Sequence, residues 1–214
     1  VVIDITSRSE LRRIGLAGQP DSIALSPDQR FAAIVIENER DEDENKGLIP
    51  QLPAGSLQVI ELTSALEAWS PQTVNLTGLA EIAPDDPEPE FVDINTLNQA
   101  VVSLQENNHL AIVDLASATV LKHFSAGSVT VDRIDATSEE LGPYAAGLIN
   151  LSESLTRRRE PDAVHWIDDD TFATANEGDY KDAEGATGGS RGFTLFNIRG
   201  EVEFAIGYSE PGAG

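Results

Sequence analysis

The stretch that decides the fold is Pro20-Asp21-Ser22-Ile23-Ala24-Leu25, followed by Ser26-Pro27-Asp28-Gln29 and then Arg30-Phe31-Ala32-Ala33-Ile34-Val35-Ile36-Glu37-Asn38. It reads as a strand, a turn and a second strand that ends on Glu-Asn. The same unit returns as Pro89-Glu90-Phe91-Val92-Asp93-Ile94, a turn over Asn95 to Asn98, and Ala100-Val101-Val102-Ser103-Leu104-Gln105-Glu106-Asn107. A third copy runs Pro161-Asp162-Ala163-Val164-His165-Trp166-Ile167, a turn at Asp168-Asp169-Asp170, and Thr171-Phe172-Ala173-Thr174-Ala175-Asn176-Glu177. The leading prolines are 69 and 72 residues apart, counted from positions 20, 89 and 161. Each proline is followed by Asp or Glu, and each copy closes on Glu beside Asn.

Two more strands follow each pair. The third strands are Ser56 to Leu62, His109 to Leu115 and Gly192 to Asn197. The fourth are Thr73 to Leu76, Thr119 to Phe124 and Glu201 to Ile206. Val1 to Ile5 and Arg13 to Leu16 read as another third and fourth strand. Four short antiparallel strands per repeat make one blade of a β-propeller. The expected fold is therefore all-β, an incomplete propeller of about three and a half four-stranded blades from a seven-bladed ring. The expected limits are a half blade over 1–16, blades over 17–80, 86–126 and 160–208, and an insertion over 127–159. That insertion carries Leu151 to Thr156, which the reading gives to a short helix. Three and a half blades cannot close a ring, and open sheet edges invite aggregation. The remaining blades are expected from the same or another chain, and Val1 is read as a processed end or the edge of a fragment.

Composition narrows the chemistry. The 214 residues hold 14 Lys+Arg against 37 Asp+Glu, a formal net charge of −23. Such a chain is repelled by phosphate backbones, so nucleic acid is excluded as a partner. Cysteine is absent, which removes disulfides, thiolate metal sites and a Cys nucleophile. No apolar run reaches the 18 or so residues of a membrane span. No Gly-x-Ser-x-Gly, His-Glu-x-x-His or Walker loop occurs.

Blade geometry then says where the acids go. The chain enters the first strand and leaves the second at the same end of the sheet. Asp21, Glu37, Glu39, Glu90, Glu106, Asp162, Glu177 and Asp179 are thus expected to crowd one face near the axis. Carboxylates so placed need a positive counter-charge. Hard, oxygen-ligated Ca²⁺ is the first candidate and Mg²⁺ the second. Asn38, Gln105, Asn107, Asn108 and Asn176 are expected to add amide oxygens there. His109 lies near the same face, whereas His123 and His165 read as packing residues. Asp41-x-Asp43-x-Asn45 begins like a calcium loop, but Lys46 stands where an EF-hand has Gly and Leu52 where it has Glu. Arg157-Arg158-Arg159, the one basic cluster, is read as neutralising the acidic face or contacting phosphate. Gly188-Gly189-Ser190-Arg191-Gly192 suits an anion through backbone N–H groups and the Arg fork. Asn75-Leu76-Thr77 and Asn150-Leu151-Ser152 match glycosylation sequons.

Seven ordered phrases carry a resemblance across nearly the whole chain. They are Gly18-Gln19-Pro20-Asp21-Ser22-Ile23-Ala24, Ile36-Glu37-Asn38-Glu39-Arg40-Asp41-Glu42, Glu88-Pro89-Glu90-Phe91-Val92-Asp93-Ile94-Asn95, Leu104-Gln105-Glu106-Asn107-Asn108-His109, Arg159-Glu160-Pro161-Asp162-Ala163-Val164, Thr174-Ala175-Asn176-Glu177-Gly178-Asp179-Tyr180 and Ser190-Arg191-Gly192-Phe193-Thr194. In this order they resemble the choice-of-anchor I family of bacterial secreted or surface proteins, a pattern shared by animal mesenchyme-specific cell-surface glycoproteins. The resemblance implies an extracellular or cell-surface propeller. It also implies a metal-dependent phosphoesterase of alkaline phosphatase or phytase-like type.

Two functions follow as expectations. One is a Ca²⁺-dependent phosphomonoesterase acting on phosphorylated small molecules, with Arg191 clamping the phosphate and His109 beside it. The other is a non-catalytic module for adhesion or matrix assembly among surface proteins, in which calcium only stiffens loops.

Overall fold

The structure is a computed structural model that describes residues 1–38, 41, 43–134, 151–178 and 191–208. Three four-stranded antiparallel sheets follow one another along the chain. The first joins β3 (Gln19–Leu25), β4 (Phe31–Glu37), β5 (Ser56–Glu61) and β6 (Pro71–Val74). The second joins β7 (Pro89–Ile94), β8 (Gln99–Leu104), β9 (His109–Asp114) and β10 (Thr119–Ser125). The third joins β13 (Pro161–Trp166), β14 (Thr171–Asn176), β15 (Arg191–Asn197) and β16 (Val202–Tyr208). In every sheet the strands lie in chain order, and β7 packs against both β3 and β13. The first strands of the three sheets are thus neighbours, as the inner strands of propeller blades are. Two smaller sheets complete the described strands: β1 (Val2–Asp4) with β2 (Ser9–Arg12), and β11 (Ser128–Ile134) with β12 (Glu153–Arg158).

Burial follows from strand alternation. On β4 the odd residues Phe31, Ala33 and Val35 face the second sheet, where they meet Ala100, Val102, Leu104, Val113 and Leu115. The even residues Ala32, Ile34 and Ile36 face the other way and pack with Ile14, Leu16 and Trp69. The second sheet repeats the arrangement. Val101, Leu110 and Ile112 turn toward the third sheet and meet Val164, Trp166, Phe172 and Phe196. Trp166 meets Phe172 edge-on at 5.2 Å, and Phe172 stacks on Phe196 at 5.8 Å. Middle strands buried on both faces are continuous apolar runs, which explains Phe31-Ala32-Ala33-Ile34-Val35-Ile36.

Two expectations need correction. The fourth strand of the half blade lies over Ser9–Arg12, not Arg13 to Leu16. Ile14 and Leu16 instead pack as a connecting segment on the first sheet. Leu151 to Thr156 is not helical. Leu155 and Thr156 belong to β12, which pairs in antiparallel register with Val131 and Thr130 of β11. The β-branched residues Val129, Thr130 and Val131 supply a strand partner that a six-residue window does not reveal.

Candidate metal centre at the inner-strand rim

All three inner strands carry a β-bulge at the same place. Register shifts between Pro20 and Ile23, between Pro89 and Val92, and between Pro161 and Val164. Proline cannot donate to the ladder and is tolerated at a strand start or bulge. A bulge also re-aims the side chains inside it. Asp21, Glu90 and Asp162 are the residues just after each proline, so each acid sits inside its bulge.

Asp21, Glu37 and Glu90 each offer a carboxylate oxygen within 4.8 Å of the others. Three strands of two sheets therefore contribute to one cluster. Burial comes first among the influences that push the Glu90 carboxyl above its ordinary range, and the charges of Glu37, Glu106, Asp21 and Asp162 push the same way. Asp162 is raised by burial and by Glu177 and Asp21. Acids of all three sheets thus act on one another around a common centre. Gln105 Nε2 donates to Glu177 Oε2 across the gap between the second and third sheets. Glu39 and Asp179 lie outside the described residues.

The amides near the acids are tied into the framework around them. Asn107 Oδ1 accepts the Glu88 N–H at 2.8 Å, and Asn108 Oδ1 accepts the Glu160 N–H at 3.0 Å. Asn176 Oδ1 accepts the Thr174 hydroxyl, and Asn38 Nδ2 donates to Gln51 O. These side chains brace the segments that aim the acids, and three of their amide oxygens are already engaged. The cluster's own donors are carboxylate oxygens, which suit Ca²⁺ or Mg²⁺ and not a soft metal.

The remaining candidates divide. Asn176 pairs with Gly192, so Arg191 begins β15 at the end of the sheet where Glu177 leaves β14. His109 points elsewhere. It is 4% exposed, and its Nε2 lies 3.0 Å from His123 Nδ1 on β10. Burial, and then His123, lowers its pKa to about 4. His123 is exposed, and His165 is 81% exposed and pairs with Asp93 Oδ2 at 2.9 Å, so neither is a buried packing residue. Arg159 is buried, with Nε on Thr194 Oγ1 at 3.1 Å and Nη1 on Ala126 O at 2.8 Å. Asp41 Oδ1 accepts the Asp43 N–H at 2.9 Å, a local turn in the acidic loop. Of Gly188 to Gly192, residues 188–190 lie outside the described residues, as does Asn150 of the second sequon. Sequence reasoning missed Asp86 and Glu88, both buried where the chain enters β7. The one available signal was the acid preceding proline at Glu88 and Glu160, where the first copy has Gln19.

Comparisons with known proteins bear on the fold and the family. Hydrazine synthase of Kuenenia stuttgartiensis is similar in structure, with a TM-score of 0.55 at 14% identity, over 97% of this chain and 42% of that one. The C-terminal WD40 domain of Sif2 gives a TM-score of 0.45 at 16% identity, over 94% of this chain and 38% of that one. The chain thus spans less than half the length of either solved chain. No curated protein matches it. The model of the Choice-of-anchor I domain matches residues 4–197. With that span matched, and with the blade-like sheets in place, the chain belongs to the choice-of-anchor I family.

Proposed function

We propose that this chain is part of a secreted or cell-surface β-propeller that binds a divalent cation, Ca²⁺ in preference to Mg²⁺, on its inner-strand rim. The convergence of Asp21, Glu37 and Glu90 within 4.8 Å carries the reading. Glu106 and Asp162 add negative potential at Glu90, and Glu177 adds it at Asp162. The family name supports the surface location. Calorimetric titration of the metal-free chain with Ca²⁺ and Mg²⁺ is the direct test. Absence of heat and of any thermal shift removes the reading.

The catalytic extension is a metal-dependent phosphoric monoester hydrolase. A bound divalent ion supplies Lewis acidity toward a phosphoryl oxygen. Arg191, on the same end of its sheet as Glu177, would neutralise the phosphate. Turnover of p-nitrophenyl phosphate that EDTA abolishes and Arg191→Ala weakens is the result this extension requires. The second reading, a non-catalytic adhesion or matrix-assembly module, is favoured by His109. That imidazole is buried against His123 and is not presented to the rim. Ca²⁺ binding without phosphatase turnover selects it.

A further inference from the structure

The turn leading into β7 buries two carboxylates that the rim cluster does not use. Asp86 is 0% exposed and Glu88 is 1% exposed. Both Glu88 carboxylate oxygens and Asp86 Oδ1 have no hydrogen-bond partner. The backbone groups around them are paired. Asp86 Oδ2 accepts the Gln51 N–H at 2.5 Å. The Glu88 N–H donates to Asn107 Oδ1 at 2.8 Å, and its C=O accepts the Gln105 N–H at 3.1 Å. Asn107 Nδ2 donates to the carbonyls of Ile82 and Asp86, each at 2.9 Å. A site that meets the demands of its backbone so fully, yet leaves three buried carboxylate oxygens without a hydrogen-bond partner, has no positive partner among the described residues. The Glu88 carboxyl lies against that of Asp86, and Glu106 and Glu37 are the next charges that act on it. Glu37 also belongs to the rim trio, so the two groups of acids influence each other.

We propose that Asp86 and Glu88 form a second and buried divalent-cation site, suited to Ca²⁺, that clamps the segments around Gln51 and Asp86 to the entry of β7. The donors are oxygens only, which selects a hard ion. Two loops meet there: Gln51 N–H reaches Asp86, and Gly55 N–H reaches Pro87 O at 3.0 Å. An ion on Asp86 and Glu88 fixes both loops and positions the strand that carries Glu90. The competing occupant is a proton shared by the two carboxyl groups. Asp86 and Glu88 are not members of the rim trio, so either site exists without the other.

The test uses the full chain, stripped with EDTA and reloaded with Ca²⁺, comparing wild type, Glu88→Gln and Glu90→Gln by equilibrium dialysis. Glu88→Gln is expected to bind one ion fewer per chain, and Glu90→Gln to lose a different ion. Tb³⁺ luminescence lifetimes in H₂O and D₂O supply a readout that needs no variant. A buried ion keeps little or no bound water, whereas a rim ion keeps several. Wild type is expected to show a low-hydration Tb³⁺ class that Ca²⁺ displaces. An unchanged ion count in Glu88→Gln, or no low-hydration class in wild type, overturns the proposal and leaves the shared proton. Loss of an ion in Glu88→Gln but none in Glu90→Gln upholds this site and removes the rim reading. If Glu88→Gln does not fold, the wild-type lifetimes decide.

Discussion

Asp21 on β3 and Glu90 on β7 occupy equivalent places in successive sheets, each one residue past the proline that opens a bulge, and their carboxylate oxygens lie within 4.8 Å. Asp162 holds the same place on β13. The repeat therefore does more than build blades. It delivers one acid per inner strand to a shared rim, and the second strand of each sheet adds Glu37, Glu106 or Glu177 beside it. Like charges gathered in this way oppose folding unless a positive charge offsets them.

Calcium should therefore stabilise the chain, and Glu90 should carry much of the effect. A ligand at a hundred times its Kd adds about 2.7 kcal/mol. For a chain of this length that corresponds to roughly 5–10 °C in Tm. Glu90→Gln is expected to melt higher than wild type in EDTA, because the penalty for burying and protonating that carboxyl is gone, and to gain little from Ca²⁺. Differential scanning calorimetry with and without Ca²⁺ reads both effects. A wild-type-sized calcium gain in the variant removes Glu90 from the site.

The pH dependence has a definite sign. Burial and negative neighbours raise the Glu88 carboxyl from 4.5 to about 10, and Glu90 and Asp162 shift the same way. Between the unfolded and folded values the native state holds more protons than the unfolded chain, so stability falls as pH rises. His109 acts in the opposite sense. Its folded value near 4 lies below the ordinary 6.5, so between those values stability falls as pH drops. Above about pH 6.5 the carboxyl contributions stand without that opposition. Metal-free protein is expected to lose Tm from about pH 6.5 to 9, and saturating Ca²⁺ to flatten the loss. A metal-free Tm that rises over that window contradicts the assignment.

Asn107 should be among the most costly polar side chains to truncate. Its Oδ1 holds the Glu88 N–H, and its Nδ2 holds the carbonyls of Ile82 and Asp86. The residue is 2% exposed, so water does not replace these partners. Each buried polar group left without a partner costs roughly 1–3 kcal/mol. Asn107→Ala is expected to lose at least that much in urea unfolding.

The strand repeats and the meeting of Asp21, Glu37 and Glu90 were legible because both follow from periodicity. Strands alternate with period two, and antiparallel pairing returns Glu37 to the end where Asp21 begins. The bulges were hinted at only by proline at each strand start. Asp86 and Glu88 were not legible, because their burial depends on Gln51 and Asn107, which are 35 and 19 residues away from the groups they bond. His109 follows Glu106 closely in sequence, yet strand alternation turns it toward His123. Proximity along the chain predicts the end of a sheet, but the face depends on register. Leu151 to Thr156 failed for a related reason, since a short mixed run takes its form from the partner strand, here β11.

Gly55 ties loop packing to both carboxylate groups and gives the last prediction. A Cβ at this position would lie 2.4 Å from Pro89 Cδ, 2.6 Å from Pro87 O and 2.7 Å from Ile36 O. Two of those atoms are backbone, and rotamer changes do not relieve them. The residues hit are the immediate neighbours of Glu37, Glu88 and Glu90. Gly55→Ala must push β4 and the entry of β7 apart, an overpacking that costs roughly 1–3 kcal/mol. It should also weaken Ca²⁺ binding, since it shifts Glu37 relative to Glu90. Gly15→Ala is the control, because nothing lies within 4 Å of the added carbon. Unfolding curves and calcium titrations of the two variants check both effects. A Gly55→Ala protein with wild-type stability would mean that the two strands do not approach each other as closely as the structure places them.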